Sequence, residues 1–219
     1  MSKRILITGQ NSILSKHLSD IFLQGSGYSV VAAIPGSEQQ KKGKGSRTVL
    51  WNTRSPLSAK NVVLEAAAPE GIINEAVVLF ESPKVLKPFH EISAADIEQS
   101  IDYQIKSNLF IIKEILRYFQ NSGSESTLSL VNYQGGIDVL PPLEALSSGG
   151  FDSFVKALFT FYQNEKLSIN GYFCATADLK EYSEFVFKTI TERNRPVHGK
   201  FYKFPEKNVL SAFGLARKH

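Results

Sequence analysis

The sequence predicts an α/β fold built on a doubly wound parallel sheet of about seven strands with helices on both faces. Three observations carry that prediction. Short apolar runs, too brief for helices, recur along the chain; segments with apolar residues at i, i+3 and i+4 separate them; and no internal repeat breaks the alternation. With 219 residues, 42% of them hydrophobic, the chain can bury one sizeable core, so a single domain over residues 1–219 is expected.

Ile5-Leu6-Ile7 stops at Thr8-Gly9 and has the character of a strand buried on both faces. Ile13, Leu14, Leu18, Ile21 and Phe22 then recur at helical spacing as far as Gln24, where Gly25 is expected to close the helix as a C′ residue. Tyr28 to Ala33 reads as a second strand, ended by Pro35-Gly36; the polar, basic stretch Gly36 to Arg47 reads as a mobile loop. Thr48 to Trp51 follows as a strand, Leu57 to Ala68 as a helix closed by Pro69 and Gly71, and Ala76 to Phe80 as a buried strand. Ser93-Ala-Ala-Asp96 has the form of a capping box. It opens a long helix with Ile97, Ile101, Ile105, Leu109, Ile112, Leu116 and Phe119 on one stripe. Leu128 to Val131 is the next strand, Phe151 to Lys166 an aromatic-rich helix, and Ile169 to Cys174 a further strand. A helix from Leu179 to about Glu192 and a strand from Lys200 to Phe204 complete the order.

Composition excludes several classes. A net charge of +4 is too small to argue for a nucleic-acid partner. The lone cysteine, Cys174, rules out an internal disulfide framework, fits a reducing compartment, and in a central strand is an inert hydrophobe. The N-terminal residues lack the apolar core of a signal peptide, and no apolar run approaches the roughly 20 residues of a membrane span. A soluble, cytoplasmic protein is the expectation. His17, His90, His198 and His219 are scattered without metal-ligand spacing. Neither a nucleophile elbow nor a phosphate-binding P-loop is present.

Four strings come in a telling order: Arg4-Ile-Leu-Ile-Thr-Gly9, Ser93 to Leu109, Phe151 to Leu158 with Lys156, and Val197-His-Gly-Lys-Phe-Tyr-Lys-Phe204. Together they resemble the short-chain dehydrogenase/reductase family across nearly the whole chain. The resemblance implies a Rossmann-type domain that binds a dinucleotide. It places Thr8, Gly9, Asn11, Ser12 and Ile13 in the phosphate-binding turn and Asn52 where the family has an aspartate contacting adenine. The family turn reads T-G-x-x-x-G-x-G, its glycines admitting the pyrophosphate to the backbone. Here Ile13 and Ser15 replace the later glycines and would crowd that approach. The helix N-terminus still offers N–H groups to an anion, and Asn11 or Ser12 serves either as a further donor or as an ordinary N-cap. Ala33-Ile34-Pro35 supplies no acid for the ribose of NAD. Lys41, Lys42, Lys44 and Arg47 either form a solvated loop or attract a 2′-phosphate, so the cofactor expectation is none, or weakly bound NADP. Leu79-Phe80-Glu81-Ser82 stands where the family has N-N-A-G.

The resembled mechanism uses a tyrosine, a lysine, a serine and an asparagine. Alignment puts Gln104 at the asparagine, Tyr133 at the serine, Asp152 at the tyrosine and Lys156 at the lysine, so Lys156 alone is kept. An aspartate ionised at neutral pH has no proton to give, and a neighbouring Lys156 is expected to favour its charged form further. The bland alternative is an Asp152/Lys156 i,i+4 pair. Tyr133 could take over as acid if Lys156 lowered its pKa; otherwise it is an aromatic covering the Gly135-Gly136 turn. Cys174-Ala175 replaces the family's Pro-Gly pair, and the short stretch before Leu179 leaves no room for a substrate lid.

Apolar residues on a second side of both long helices point to burial against a partner. The family builds its dimer interface there, so a homodimer, or a heteromer with a homologous reductase, is expected through helices 97–119 and 151–166. The leading reading is a catalytically degenerate homologue acting as a structural or regulatory subunit. An NADP-dependent oxidoreductase with atypical residues is the second, and a dinucleotide sensor the third.

Overall fold

Runs of Ile, Leu and Val with no polar alternation can be placed only between two helical layers, and the chain is arranged so. The computed structural model describes residues 3–9, 12–25, 27–36, 46–68, 71–81, 86–134, 139–174, 178–192 and 197–204. The first half comprises β1 (Lys3–Thr8), α1 (Ile13–Gln24), β2 (Tyr28–Pro35), β3 (Ser46–Trp51), α2 (Pro56–Ala67) and β4 (Ile73–Glu81). After a short 3₁₀ turn at Phe89–Glu91 come α3 (Ala94–Ser100), a π-helical segment (Ile101–Lys106) and α4 (Ser107–Ser122). The rest is β5 (Ser126–Tyr133), α5 (Pro142–Phe161), β6 (Leu167–Cys174), α6 (Leu179–Thr191) and β7 (Phe201–Phe204).

The seven strands form one sheet of order β3-β2-β1-β4-β5-β6-β7, every neighbouring pair parallel. Chain direction across the sheet reverses between β1 and β4, which makes their carboxyl ends the switch point where open α/β sheets bind ligands. Leu14, Leu18 and Phe22 of α1 and Tyr182, Val186 and Ile190 of α6 cover one face. Residues of α2, α4 and α5, among them Val62, Ile111, Ile115 and Val155, cover the other. Each such burial contributes about 1.5–3 kcal/mol.

Four departures from the sequence reading have physical causes. β4 starts at Ile73 because Asn74 sits at a register shift and its Oδ1 accepts the Arg4 N–H at 3.0 Å, so a polar residue continues the ladder. Gly25 is not left-handed: its φ is −69°, and glycine is needed because a Cβ would lie 2.5 Å from Phe187 Cζ of α6. α5 begins at Pro142 rather than Phe151; Leu143, Ser147, Ser148 and Phe151 bury one face, while Gly149 and Gly150 point outward.

The fourth departure is the long helix. Its capping box is present, with Ser93 Oγ accepting from Asp96 N–H and Asp96 accepting from Ser93 N–H. Bonds from Lys87 and Ser93 hold the Asp96 carboxyl at about 2. The π segment, however, inserts a wider turn and shifts the phase of everything beyond it. The predicted stripe is thereby broken. Ile111, Ile112, Ile115, Leu116 and Phe119 are buried, whereas Ile101 and Leu109 stay 38% and 41% exposed. Among the described residues no helix is long and apolar enough to cross a membrane.

Candidate functional site

Thr8 is buried between Ala33 and Val78 on the neighbouring strands, and Gly9 follows at the end of β1. A Cβ on Gly9 would lie 3.0 Å from both Leu79 Cδ1 and Ser15 Cβ, so this glycine admits the close approach of α1. Ser12 is the N-cap of α1, its Oγ accepting from Ser15 N–H at 3.0 Å. The crowding expected from Ile13 and Ser15 divides: Ser15 is folded inward and buried, while Ile13 stands 61% exposed at the first turn. Asn11, Lys41, Lys42, Lys44, Ser82, Gly135, Gly136 and Ala175 lie outside the described residues.

At the adenine end, Asn52 is exposed and engaged locally, its N–H donating to Ser58 Oγ at 2.9 Å and its Oδ1 accepting from Arg54 N–H at 3.1 Å. Arg47 donates to Ala68 O at 2.8 Å, serving the end of α2.

Further along the sheet's carboxyl edge, strand register sorts the side chains into two rows. Phe80, Asn132, Phe173 and Lys203 are partners across β4, β5, β6 and β7, and so are Glu81, Tyr133, Cys174 and Phe204. Successive residues of a strand point to opposite faces. The first row therefore meets α5 and the second meets α1 and α6.

On the α5 face the polar groups bond to one another. Asn132 Nδ2 donates to Asp152 Oδ1 at 2.7 Å and to Ser148 Oγ at 2.9 Å. Gln134 Nε2 donates to Ser148 Oγ at 2.7 Å, and the Ser148 hydroxyl is 3.3 Å from Asn132 Oδ1. Phe80 and Phe151 stack beside them at 4.5 Å. Burial pushes the Asp152 carboxyl above its ordinary value, outweighing the bond from Asn132 and the attraction of Lys156 and Lys203. Lys156 favours the charged form in the expected direction, but burial is the larger influence on Asp152. Among the described residues the i,i+4 pair does not close; Lys156 Nζ lies 5.9 Å from the centre of the Phe201 ring. Gln104 is buried in the π segment, and among the described residues neither its Nε2 nor its Oε1 has a hydrogen-bond partner.

On the opposite face the Ser12 side chain favours the charged form of the Glu81 carboxyl. Glu81 Oε2 is sealed from solvent with no hydrogen-bond partner among the described residues, and burial pushes the carboxyl above its ordinary value. Tyr133 stacks on Tyr182 at 6.1 Å, and Tyr182 meets Phe204 at 5.9 Å. Burial, then the neighbouring Cys174 and Glu81, push the Tyr133 phenol up. That is the reverse of the lowering a nearby Lys156 would bring. Tyr133 and Lys156, paired in the sequence reading, are on different sides: Tyr133 packs against one core cluster, whereas the exposed Lys156 lies over Phe201, which packs against the other.

Sequence reasoning missed Asn132, Gln134, Ser148 and Tyr182, and passed over Glu81 as a mere replacement. The i,i+4 spacing of Ser148 and Asp152 was a usable signal for the first group. Among the described residues no group of three or more His, Cys, Asp or Glu side chains is placed to hold a metal ion. His198 instead ties α5 to β6, with Nε2 2.8 Å from Phe159 O and Nδ1 3.3 Å from Ile169 N. β6 ends at Cys174 and α6 begins at Leu179; residues 175–177, where the absence of a lid was expected, lie outside the described residues.

No protein-family model matches the chain, and no curated protein is similar to it in sequence. Solved structures are similar in fold. A short chain dehydrogenase from Leptospira borgpetersenii with bound NAD+ aligns with a TM-score of 0.78 at 14% identity, over 93% of this chain and 91% of that one. A short chain dehydrogenase from Bacillus anthracis aligns at 0.77 and 13% identity, over 92% and 94% of the two chains. Serine dehydrogenase from Escherichia coli aligns at 0.75 and 15% identity, over 91% and 96%. The chain has the Rossmann-type fold of the short-chain dehydrogenases along nearly its whole length.

Proposed function

We propose that this chain, which has the fold of the short-chain dehydrogenase/reductases, is a member of that family that has lost reductase chemistry and serves as a structural or regulatory subunit. The observation that carries the reading is the closed network of Asn132, Ser148 and Asp152 against α5. Carbonyl reduction needs a group that passes a proton at the substrate oxygen. On the α5 side of the sheet edge the candidates are a hydroxyl and a carboxylate, each already bonded to Asn132. Lys156 lies against a phenylalanine, with no phenol in the pair.

The cofactor half supports the same reading, because the residues present do not fit a pyrophosphate. Glu81 acts electrostatically with Ser12, the N-cap of α1, setting a carboxylate against an incoming phosphate, and Ile13 and Ser15 stand where the family has glycines. A bound dinucleotide would supply the hydride of a reductase; here it is taken to be absent or weakly held NADP.

The subunit role rests on exposed apolar residues of α4 and α5. Leu109, Leu146 and Phe161 are 41%, 68% and 82% exposed, and Gly149 and Gly150 face open space. A homodimer or a heteromer with an active homologue through residues 97–119 and 151–166, with the turns of α5 before Phe151 added to that surface, would cover them. A single domain in the cytoplasm is part of the same proposal.

Titration of NADPH fluorescence with the protein, followed by a search for carbonyl turnover, tests the catalytic half; weak or no binding and no turnover are expected. Light scattering after size exclusion tests the subunit half: a dimer is expected, and Leu146→Glu should turn it into a monomer. A second reading, an NADP-dependent oxidoreductase using Tyr133 and Lys156, is favoured by the NAD+ bound in the Leptospira protein. It predicts tight NADPH binding and turnover abolished by Tyr133→Phe. Binding without turnover would mark a dinucleotide sensor.

A further inference from the structure

In a parallel pair, one strand offers its neighbour an N–H for one carbonyl and a C=O for the N–H two residues further on. At the start of β7 the main chain makes two such bonds with β6. Gly199 N–H donates to Ile169 O at 2.8 Å, and Gly171 N–H donates to Lys200 O at 2.9 Å. One step earlier a side chain takes over from the strand. Leu167 O and the Ile169 nitrogen lie 3.1 Å and 3.3 Å from the same atom, Nδ1 of His198, and Ile169 N–H points at it.

One nitrogen serves a donor or an acceptor, not both together. Bare, Nδ1 accepts from Ile169 N–H; protonated, it donates to Leu167 O. The other ring nitrogen, Nε2, is 2.8 Å from Phe159 O, one of the last-turn carbonyls of α5 that lie beyond the helix's own ladder. A carbonyl only accepts, so Nε2 carries a proton in both states. The neutral ring is therefore the Nε2–H tautomer, bonded to Phe159 O and to Ile169 N–H. The imidazolium bonds to Phe159 O and Leu167 O, and its Nδ1–H opposes Ile169 N–H.

We propose that His198 is a proton-sensitive latch on β7: neutral, it extends the β6–β7 ladder through Ile169 N–H, and protonated, it gives up that bond for Leu167 O and loosens the start of the strand. The end of α5 stays held in both states. β7 is an edge strand of the described sheet, so β6 alone secures it, and it lays Tyr202 on Tyr172 at 5.0 Å. The ring is half-buried and lines a cavity of about 390 Å³ at the amino ends of the strands, where solvent protons reach it. The charged groups on that cavity are Lys3 of β1, Glu75 of β4, Glu125 ahead of β5, and Glu165 and Lys166 between α5 and β6. Lys200, on the ring's own segment, is turned to the Tyr202 ring at 4.6 Å. This assignment rests on the bonds of one imidazole and not on the loss of reductase chemistry.

The test is an NMR titration of the full chain labelled with ¹⁵N and ¹³C. Ring nitrogen shifts of the neutral form should show the proton on Nε2 and a bare Nδ1. As pH falls through the His198 midpoint, the hydrogen-exchange protection of Ile169 N–H should drop about fivefold or more. The Leu167 carbonyl shift should move with the same midpoint. His198→Asn, whose amide oxygen replaces Nδ1 as acceptor and does not titrate, should hold Ile169 protection constant over that range. The proposal is overturned if the neutral ring carries its proton on Nδ1, or if Ile169 protection is unchanged through the His198 midpoint. It is equally overturned if the change follows a carboxylate midpoint or persists in His198→Asn. Should His198→Asn fail to fold, the wild-type titration decides, because the ring's midpoint is read from its own signals.

Discussion

The two sides of the sheet's carboxyl edge are built from the same four strands and differ in how their polar groups are matched. Against α5, the side chains of Asn132, Gln134, Ser148 and Asp152 bond to one another. Against α1 and α6, Glu81 Oε2 and the Tyr182 hydroxyl are left over among aromatic rings. A polar network whose members are mutually satisfied rigidifies a fold. Buried groups left without partners are held there at a cost. The matched and the unmatched polar groups thus belong to opposite faces, one residue apart along β5.

Deleting polar groups should therefore have opposite effects on the two sides. The largest expected change is Asn132→Leu, which strips the partner from Ser148 and Asp152 together and should cost about 3 kcal/mol in urea unfolding. A loss below roughly 1 kcal/mol would show that the network contributes little net stability. Next in size is Glu81→Gln, which should stabilise the protein at neutral pH by about 1 kcal/mol, because it removes a buried charge. The pH dependence follows from the raised pKa. With the folded value above the ordinary 4.5, the contribution of Glu81 to stability is fully present below 4.5 and is lost as pH rises through the folded value. The gap between variant and wild type should accordingly close as pH is lowered towards 4.5. A gap independent of pH would place the effect elsewhere. Asp152 shares the sign, its folded value lying above the ordinary 3.8. The smallest effect is expected from Tyr182→Phe, neutral to stabilising by about 0.5 kcal/mol, since a buried hydroxyl without a partner is removed. Destabilisation in thermal melts would mean that this hydroxyl is matched in solution.

Much of the fold was readable because it depends on local patterns. α1 follows from the spacing of Leu14, Leu18 and Phe22, and the box at Ser93 and Asp96 from two side chains meeting across one turn. What escaped depends on relations between distant segments. The start of α5 was hidden by Gly149-Gly150, which look like a break but are tolerated because that side of the helix is open. The π turn has no local signature, and it sets the phase of Ile101 apart from the buried stripe of Ile112 and Leu116 on α4, at whose edge Leu109 stands.

The site was less legible for the same reason. Residue types at the family positions could be compared, but the pairing of Glu81 with Tyr133 and of Phe80 with Asn132 is a matter of strand register. No spacing within β5 reveals which neighbour stands opposite. The family spacing directed attention to Asp152 and Lys156; Asp152 does reach Asn132, but its companion there is Ser148, one turn earlier on α5, and not Lys156.

The contact between Gly25 and Phe187 gives the aromatic compartment a remote adjustment. Phe187 belongs to α6, the helix that also carries Tyr182 and Phe185, and it fills the space where a side chain on residue 25 would begin. Close-packed interiors transmit such displacements instead of absorbing them. Enlarging residue 25, at the end of α1 far from Ser12, would lever α6 away from its neighbour and reset the spacing of the rings. The packing of the rings at the sheet's edge is in this way tied to the far end of α1.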